Sequence, residues 1–102
     1  MSLLHTINKS PFERNALQSC LRLAEDGHAV LLIEDAVVAA LDGTEHAETI
    51  KNATGRLSVY VLGPDLDARG LPKDRIIDGI EVVDYDRFVA LTCEHDSVQS
   101  WL

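Results

Sequence analysis

The run Ala29-Val30-Leu31-Leu32-Ile33 constrains this chain more than any other stretch. Its apolar residues follow one another without alternation and lie between segments of helical spacing. A strand with one wet face alternates polar and apolar residues. One that does not alternate is buried on both faces, the situation inside a parallel sheet covered by helices. The flanking segments predict the covers. Ser10 is a good N-cap, Pro11 suits the first helical position and Glu13 stands three residues after the cap, so a helix is expected from Pro11 to about Glu25. On a 100° wheel Phe12, Ala16, Leu17, Cys20, Leu21, Leu23 and Ala24 share one half. Asp26-Gly27 ends that helix.

The other elements follow the same alternation of strand and helix. Leu3–Ile7 reads as a first strand and Leu57–Leu62 as a third, the latter stopped by Gly63-Pro64. Short helices are expected at Ala36–Leu41 and Glu45–Ala53, and a single turn at Asp65–Arg69, with residues 71–79 loop-like. Ile80–Val83 is a short fourth strand. Asp84 caps a helix from Tyr85 to about Thr92, with Phe88 and Leu91 inward. Ser97–Trp101 alternates and suits a terminal strand. The expected fold is α/β: a small three-layer sandwich whose mostly parallel sheet of about four to five strands is flanked by helices. At 102 residues the chain makes one domain, residues 1–102, and buries roughly two thirds of its unfolded surface.

Composition narrows the function classes. Apolar residues make up 46% and aromatics only 5%, so the core is built from Leu, Val, Ile and Ala. The net charge of −8 argues against direct contact with nucleic acid, and the basic cluster Lys73–Arg75 is interrupted by Asp74. No apolar run approaches the roughly 18 residues that cross a bilayer, so no membrane partner is expected. The N-terminal MSLLHTINK is not a secretion signal, and two cysteines make neither a CxxC nor a disulfide framework. A cytoplasmic chain with reduced thiols is the expectation.

Few residues carry candidate chemistry. Cys20 lies in the apolar half of its helix, past the turn where the helix dipole would lower its pKa; it is either a core residue or a thiol nucleophile. Cys93 is followed by Glu94 and His95, but no second ligand pair completes a metal site. His95 is a candidate helix-end cap or interface hydrogen-bonding group. His5, inside the first strand, reads as a satisfied core or interface group. Glu34-Asp35 and Asp65 stand at the carboxyl ends of predicted strands, where α/β proteins bind ligands, but the preferred reading of Glu34 and Asp35 is as caps of the next helix. Neither GxGxxG nor GxxxxGK[ST] occurs, and no cofactor or metal is expected. The terminal pair Trp101-Leu102 must dock on its own domain or on a neighbouring subunit, and with His95 forms the expected interface set.

Four stretches in order, LHTINKSPF, LLIEDAVVAAL, YVLGPDLDARGL and VDYDRFVALTCEHDSVQSW, resemble the DsrH/TusB family from Leu4 to Trp101. The resemblance implies a subunit of a cytoplasmic heterohexamer, DsrEFH or TusBCD, containing two copies of each of three related chains. Such complexes relay sulfur as protein persulfide to a small carrier, DsrC or TusE, that bears a cysteine on a mobile C-terminal arm. DsrE-like and DsrF-like sister subunits would be the partners. The TusBCD branch feeds 2-thiolation of the tRNA wobble uridine, and the DsrEFH branch serves sulfur oxidation. Cys20 matches the first-helix cysteine of DsrH-type chains, which leans the reading to DsrH. In both branches the principal persulfide cysteine belongs to a sister subunit, so Cys20 is at most a second sulfur acceptor. To act as one, it must be ionised in part and reachable by a donor persulfide. Three roles remain open: sulfur acceptor, structural subunit without sulfur chemistry of its own, or an unrelated ligand binder using the acidic strand ends.

Overall fold

A computed structural model describes residues 2–10 and 15–101. Five strands form one sheet: β1 (Leu3–Ile7), β2 (Ala29–Leu32), β3 (Ser58–Leu62), β4 (Ile80–Val83) and β5 (Ser97–Trp101). Their order is β4-β3-β2-β1-β5, and every neighbouring pair is parallel. The helices are α1 (Ala16–Leu23), α2 (Ala47–Ala53), α3 (Gly63–Ala68) and α4 (Tyr85–Glu94), with 3-10 segments at Glu34–Ala40 and Lys73–Arg75. The three-layer α/β sandwich expected from the sequence is therefore present, and its sheet is entirely parallel.

The layers follow from travel direction. The chain moves from β1 through β4 in one sense, then returns across the sheet to place β5 beside β1. Right-handed crossovers of opposite travel put their helices on opposite faces. Accordingly α1, the 34–40 segment, α2 and α3 pack on one face with Ile7, Val30, Leu32, Val59 and Val61. Helix α4 packs alone on the other through Leu91 and Phe88, against Leu4, Ala29, Leu31, Leu62 and Val83. Strand β2 feeds both layers: all of its residues are buried, Val30 and Leu32 to one side, Ala29 and Leu31 to the other. The unbroken apolar run has that meaning.

Boundaries differ from expectation where tertiary contacts act. The predicted helix start at Pro11, with Phe12 and Glu13, lies outside the described residues. The end of α1 falls at Leu23, short of Glu25, because the Arg56 guanidinium takes the carbonyls of Leu21 and Ala24 as the chain turns extended. Leu23, placed on the apolar half of the wheel, is 65% exposed. The segment after β2 is 3-10 rather than α-helical and starts two residues earlier, at Glu34; Ala36, Val37, Ala39 and Ala40 are all buried, small enough to lie close against the sheet. Gly63-Pro64 does more than stop β3: the proline sits in the first turn of α3, where a missing N–H costs nothing. Asp84 caps α4 as expected, its carboxylate accepting from the Arg87 N–H at 2.8 Å.

Truncating the centre should show the load that β2 carries. Leu31→Ala, at a site with no exposed surface, is expected to lower unfolding free energy by about 2–5 kcal/mol in urea titration, whereas Asp84→Ala should cost only about 1 kcal/mol.

Candidate functional site

Cys20 was the residue with most chemical interest. In the structure its side chain has no exposed surface and lies in the core cluster with Ile7, Leu17, Leu21, Val30 and Ile50. Burial pushes the thiol up to about 12, and the Arg56 charge offsets only part of this. At pH 7 a thiol of that pKa is ionised in on the order of one molecule in 100,000. In the folded chain Cys20 thus meets neither requirement for a sulfur acceptor, ionisation or access. The sequence placed Cys20 on the apolar half of α1, and the packing closes that half against the sheet.

Cys93 is the opposite case: a free, exposed thiol near the end of α4. His95 does not act on it. Its Nδ1–H donates to the Leu91 carbonyl at 2.8 Å, so the imidazole ties off the end of α4. That is the helix-end cap that the sequence offered as one reading of His95.

The acidic strand ends are engaged internally. Glu34 has φ +52°, an uncommon left-handed conformation for a residue with a side chain. Its N–H donates to the Asp65 carboxylate at 2.6 Å, across the carboxyl ends of β2 and β3. Asp35 pairs with Arg69 at 2.9 Å. The expected capping by Glu34 and Asp35 is not found: the residue before the 3-10 segment is Ile33, with no side-chain cap bond. These carboxylates also stand away from the place where the strand order reverses, between β1 and β5, at which open parallel sheets form ligand crevices. Among the described residues no group of three His, Cys, Asp or Glu side chains is placed to hold a metal ion.

A cluster that the sequence revealed only in part lies at β1. Trp101 donates its indole N–H to His5 Nδ1 at 3.1 Å, and His5 Nε2 lies 3.2 Å from His28 Nδ1. Both histidines are buried. Trp101 therefore docks on its own domain, over the β1 face that carries Ile7; Leu102 lies outside the described residues. Of the two readings that the sequence leaves open for His5, core or interface group, the bonds to Trp101 and His28 fit the satisfied core group. His28 was missed, although its position directly before the buried run marks it as close to the sheet. Nothing local shows that the β1–β2 register carries it to His5.

Outward on the α4 side of the sheet, Tyr85 and Val89 of α4 and Val98 of β5 are exposed. Val98 pairs with Leu4, so alternation turns it toward the α4 side. On the opposite face Leu23 of α1 and Val82 of β4 are exposed as well.

A small, all-parallel α/β sandwich with a buried first-helix thiol and an exposed apolar margin beside its last helix defines the class of protein. Comparison with known proteins specifies it further. The family model described as "DsrH like protein" matches residues 9–98. Proteins named TusB are similar along nearly the whole length: 41% identity over 99 residues in Escherichia coli O1:K1, and 40% over 99 residues in Shigella flexneri, covering 97% of this chain and 100% of theirs. The fold is shared with the ychN protein of E. coli (TM-score 0.86, 21% identity, 99% of each chain) and with MTH1491 of Methanobacterium thermoautotrophicum (TM-score 0.75, 17% identity, 97% of each chain). The chain belongs to the DsrH/TusB family, and its function is that of a sulfur relay subunit. The TusB alternative is better supported than the lean to the DsrH branch drawn from Cys20: similarity to TusB extends over 99 residues, against one buried cysteine.

Thiol titration checks the burial. In the native chain Cys93 should react rapidly with an aromatic disulfide reagent, while Cys20 reacts only after denaturant is added. Stability should also respond to alkali. The unfolded thiol titrates near 9.0 and the native one near about 12, so the contribution from keeping Cys20 neutral is intact below pH 9 and lost as pH rises from there. Cys20→Ala should remove this alkaline component in unfolding titrations.

Proposed function

We propose that the chain is the TusB-type subunit of a cytoplasmic relay that supplies sulfur for 2-thiolation of tRNA, and that it contributes shape and docking surface rather than a thiol. The full-length similarity to TusB proteins carries the choice of branch. The burial of Cys20 supports an accessory role, since persulfide exchange needs a reachable thiolate and the folded subunit presents none at that position. In this reading the reactive cysteine belongs to a DsrE-like (TusD-type) sister. A DsrF-like (TusC-type) chain completes a heterohexamer with two copies of each subunit, and a DsrC/TusE-like protein receives the sulfur. The acidic chain leaves the RNA to later components.

Tyr85, Val89 and Val98 provide the surface for a sister subunit. Large side chains exposed together beside α4 are the kind of apolar margin that assembly covers. Cys20 acts as a small hydrophobe that fills the space between α1 and the sheet.

Genetic complementation tests the reading. Deletion of the gene should abolish 2-thiouridine in tRNA, measured by mass spectrometry of nucleosides, and both the wild-type chain and Cys20→Ala should restore it. Loss of thiolation with a folded, assembled Cys20→Ala chain would assign Cys20 to the relay instead. Unchanged tRNA thiolation on deletion would remove the chain from this pathway. Val89→Asp should reduce co-purification of the sister chains by at least about tenfold, the effect of placing a charge in a buried contact.

A further inference from the structure

The Trp101–His5–His28 cluster has a logic of its own. An indole N–H only donates, so His5 Nδ1, 3.1 Å from Trp101 Nε1, must carry no proton. The proton of neutral His5 then sits on Nε2, which faces His28 Nδ1 at 3.2 Å and makes that atom an acceptor too. His28 in turn carries its proton on Nε2, toward Glu25 Oε2 at 3.9 Å. One tryptophan thereby sets the tautomer of two histidines, and every hydrogen bond in the row points the same way.

We propose that this row is a proton-operated latch on the C-terminal strand: one proton added to the histidine pair expels the Trp101 indole and releases the end of β5. The arrangement leaves no alternative site for the proton. If His5 takes it, Nδ1–H faces the indole N–H. If His28 takes it at Nδ1 and the ring-to-ring hydrogen bond is kept, His5 Nε2 must accept, the His5 proton moves to Nδ1, and the same two N–H groups collide. Either way the conflict falls at the junction with Trp101.

The surroundings set the balance. Glu25, two residues past the end of α1, places Oε2 3.9 Å from His28 Nε2. From β5, Trp101 and Gln99 are neutral, Gln99 standing across from His5 in the ladder. From β3, the Ser58 N–H binds the His28 carbonyl at 3.1 Å and carries no charge. Arg56 is engaged by the carbonyls of Leu21 and Ala24 and faces Asp26 at 3.7 Å. Burial first, and the neighbouring His28 second, hold His5 below its ordinary pKa. A lowered histidine pKa keeps the latch closed near neutrality. Its contribution is present above the unfolded value of 6.5 and is lost as pH falls below it. Besides the backbone ladder with β1, the side-chain fastenings described for β5 contain no histidine: Ser2 N–H donates to Asp96 at 2.8 Å at the strand's start, and Thr6 Oγ1 donates to Ser100 Oγ at 3.2 Å. Release therefore begins at the Trp101 end.

Trp101 is the chain's single tryptophan, so its indole N–H gives one NMR signal in the full-length protein. Imidazole nitrogen shifts at about pH 7.5 should show both histidines protonated on Nε2 only. Lowering the pH to about 5.5 should move the indole signal to a solvent-exposed position and raise exchange of β5 amides at least about tenfold relative to their intrinsic rates, with β2 and β3 unchanged. His5→Gln, whose amide oxygen accepts from the indole without titrating, should abolish the response. An Nδ1–H tautomer at either histidine, a pH-independent indole signal, or an unaltered response in His5→Gln would each overturn the latch. If His5→Gln fails to fold, the tautomers and the indole titration of the unaltered protein decide.

Discussion

Strand β2 has no face toward water, and the rest of the molecule is arranged to keep it so. A parallel sheet buried on both sides needs a crossover helix between consecutive strands, and right-handed crossovers need the chain to reverse before it can cover the second face. The chain travels from β1 to β4 under one set of helices, then crosses back beneath α4 to set β5 against β1. Because a single helix covers the second face while several elements cover the first, Val98 and the outer side of α4 are left uncovered.

The same burial decides the chemistry of the thiols. Cys20 is drawn into the layer between α1 and the sheet because it lies on the half of α1 that must face the sheet. What makes it a good packing residue, small size and little polarity, is realised in a site where a thiolate is strongly disfavoured. In the role proposed for it, the subunit contributes surface rather than this thiol.

Strand and helix ends are finished by distant groups rather than by local caps. Arg56 closes the end of α1 from across the fold, and Asp65 satisfies the strained Glu34 N–H beyond β2. These bonds explain why expected boundaries moved: a helix stops where an outside donor takes its carbonyls, and a carboxylate near a strand end is consumed by the backbone before it can serve a ligand. The mixed polarity of β1, with His5 and Thr6 among leucine and isoleucine, is resolved in the same way, by partners from β5 and from the residue before β2.

What the sequence by itself determined is the alternation of strands and helices, the buried status of β2, the Asp84 cap and the family. Each of these is written in nearest neighbours or in short periodic patterns. The burial of α1's Leu17, Cys20 and Leu21 was legible for that reason, and the exposure of Leu23 was not, because periodicity gives a stripe's direction but not its width. Tertiary structure alone decided that Cys20 is sealed, that Glu34 and Asp65 meet, and that Trp101, His5 and His28 form one row. Those residues are brought together by strand order and register, and a parallel sheet aligns segments whose sequence positions carry no trace of one another.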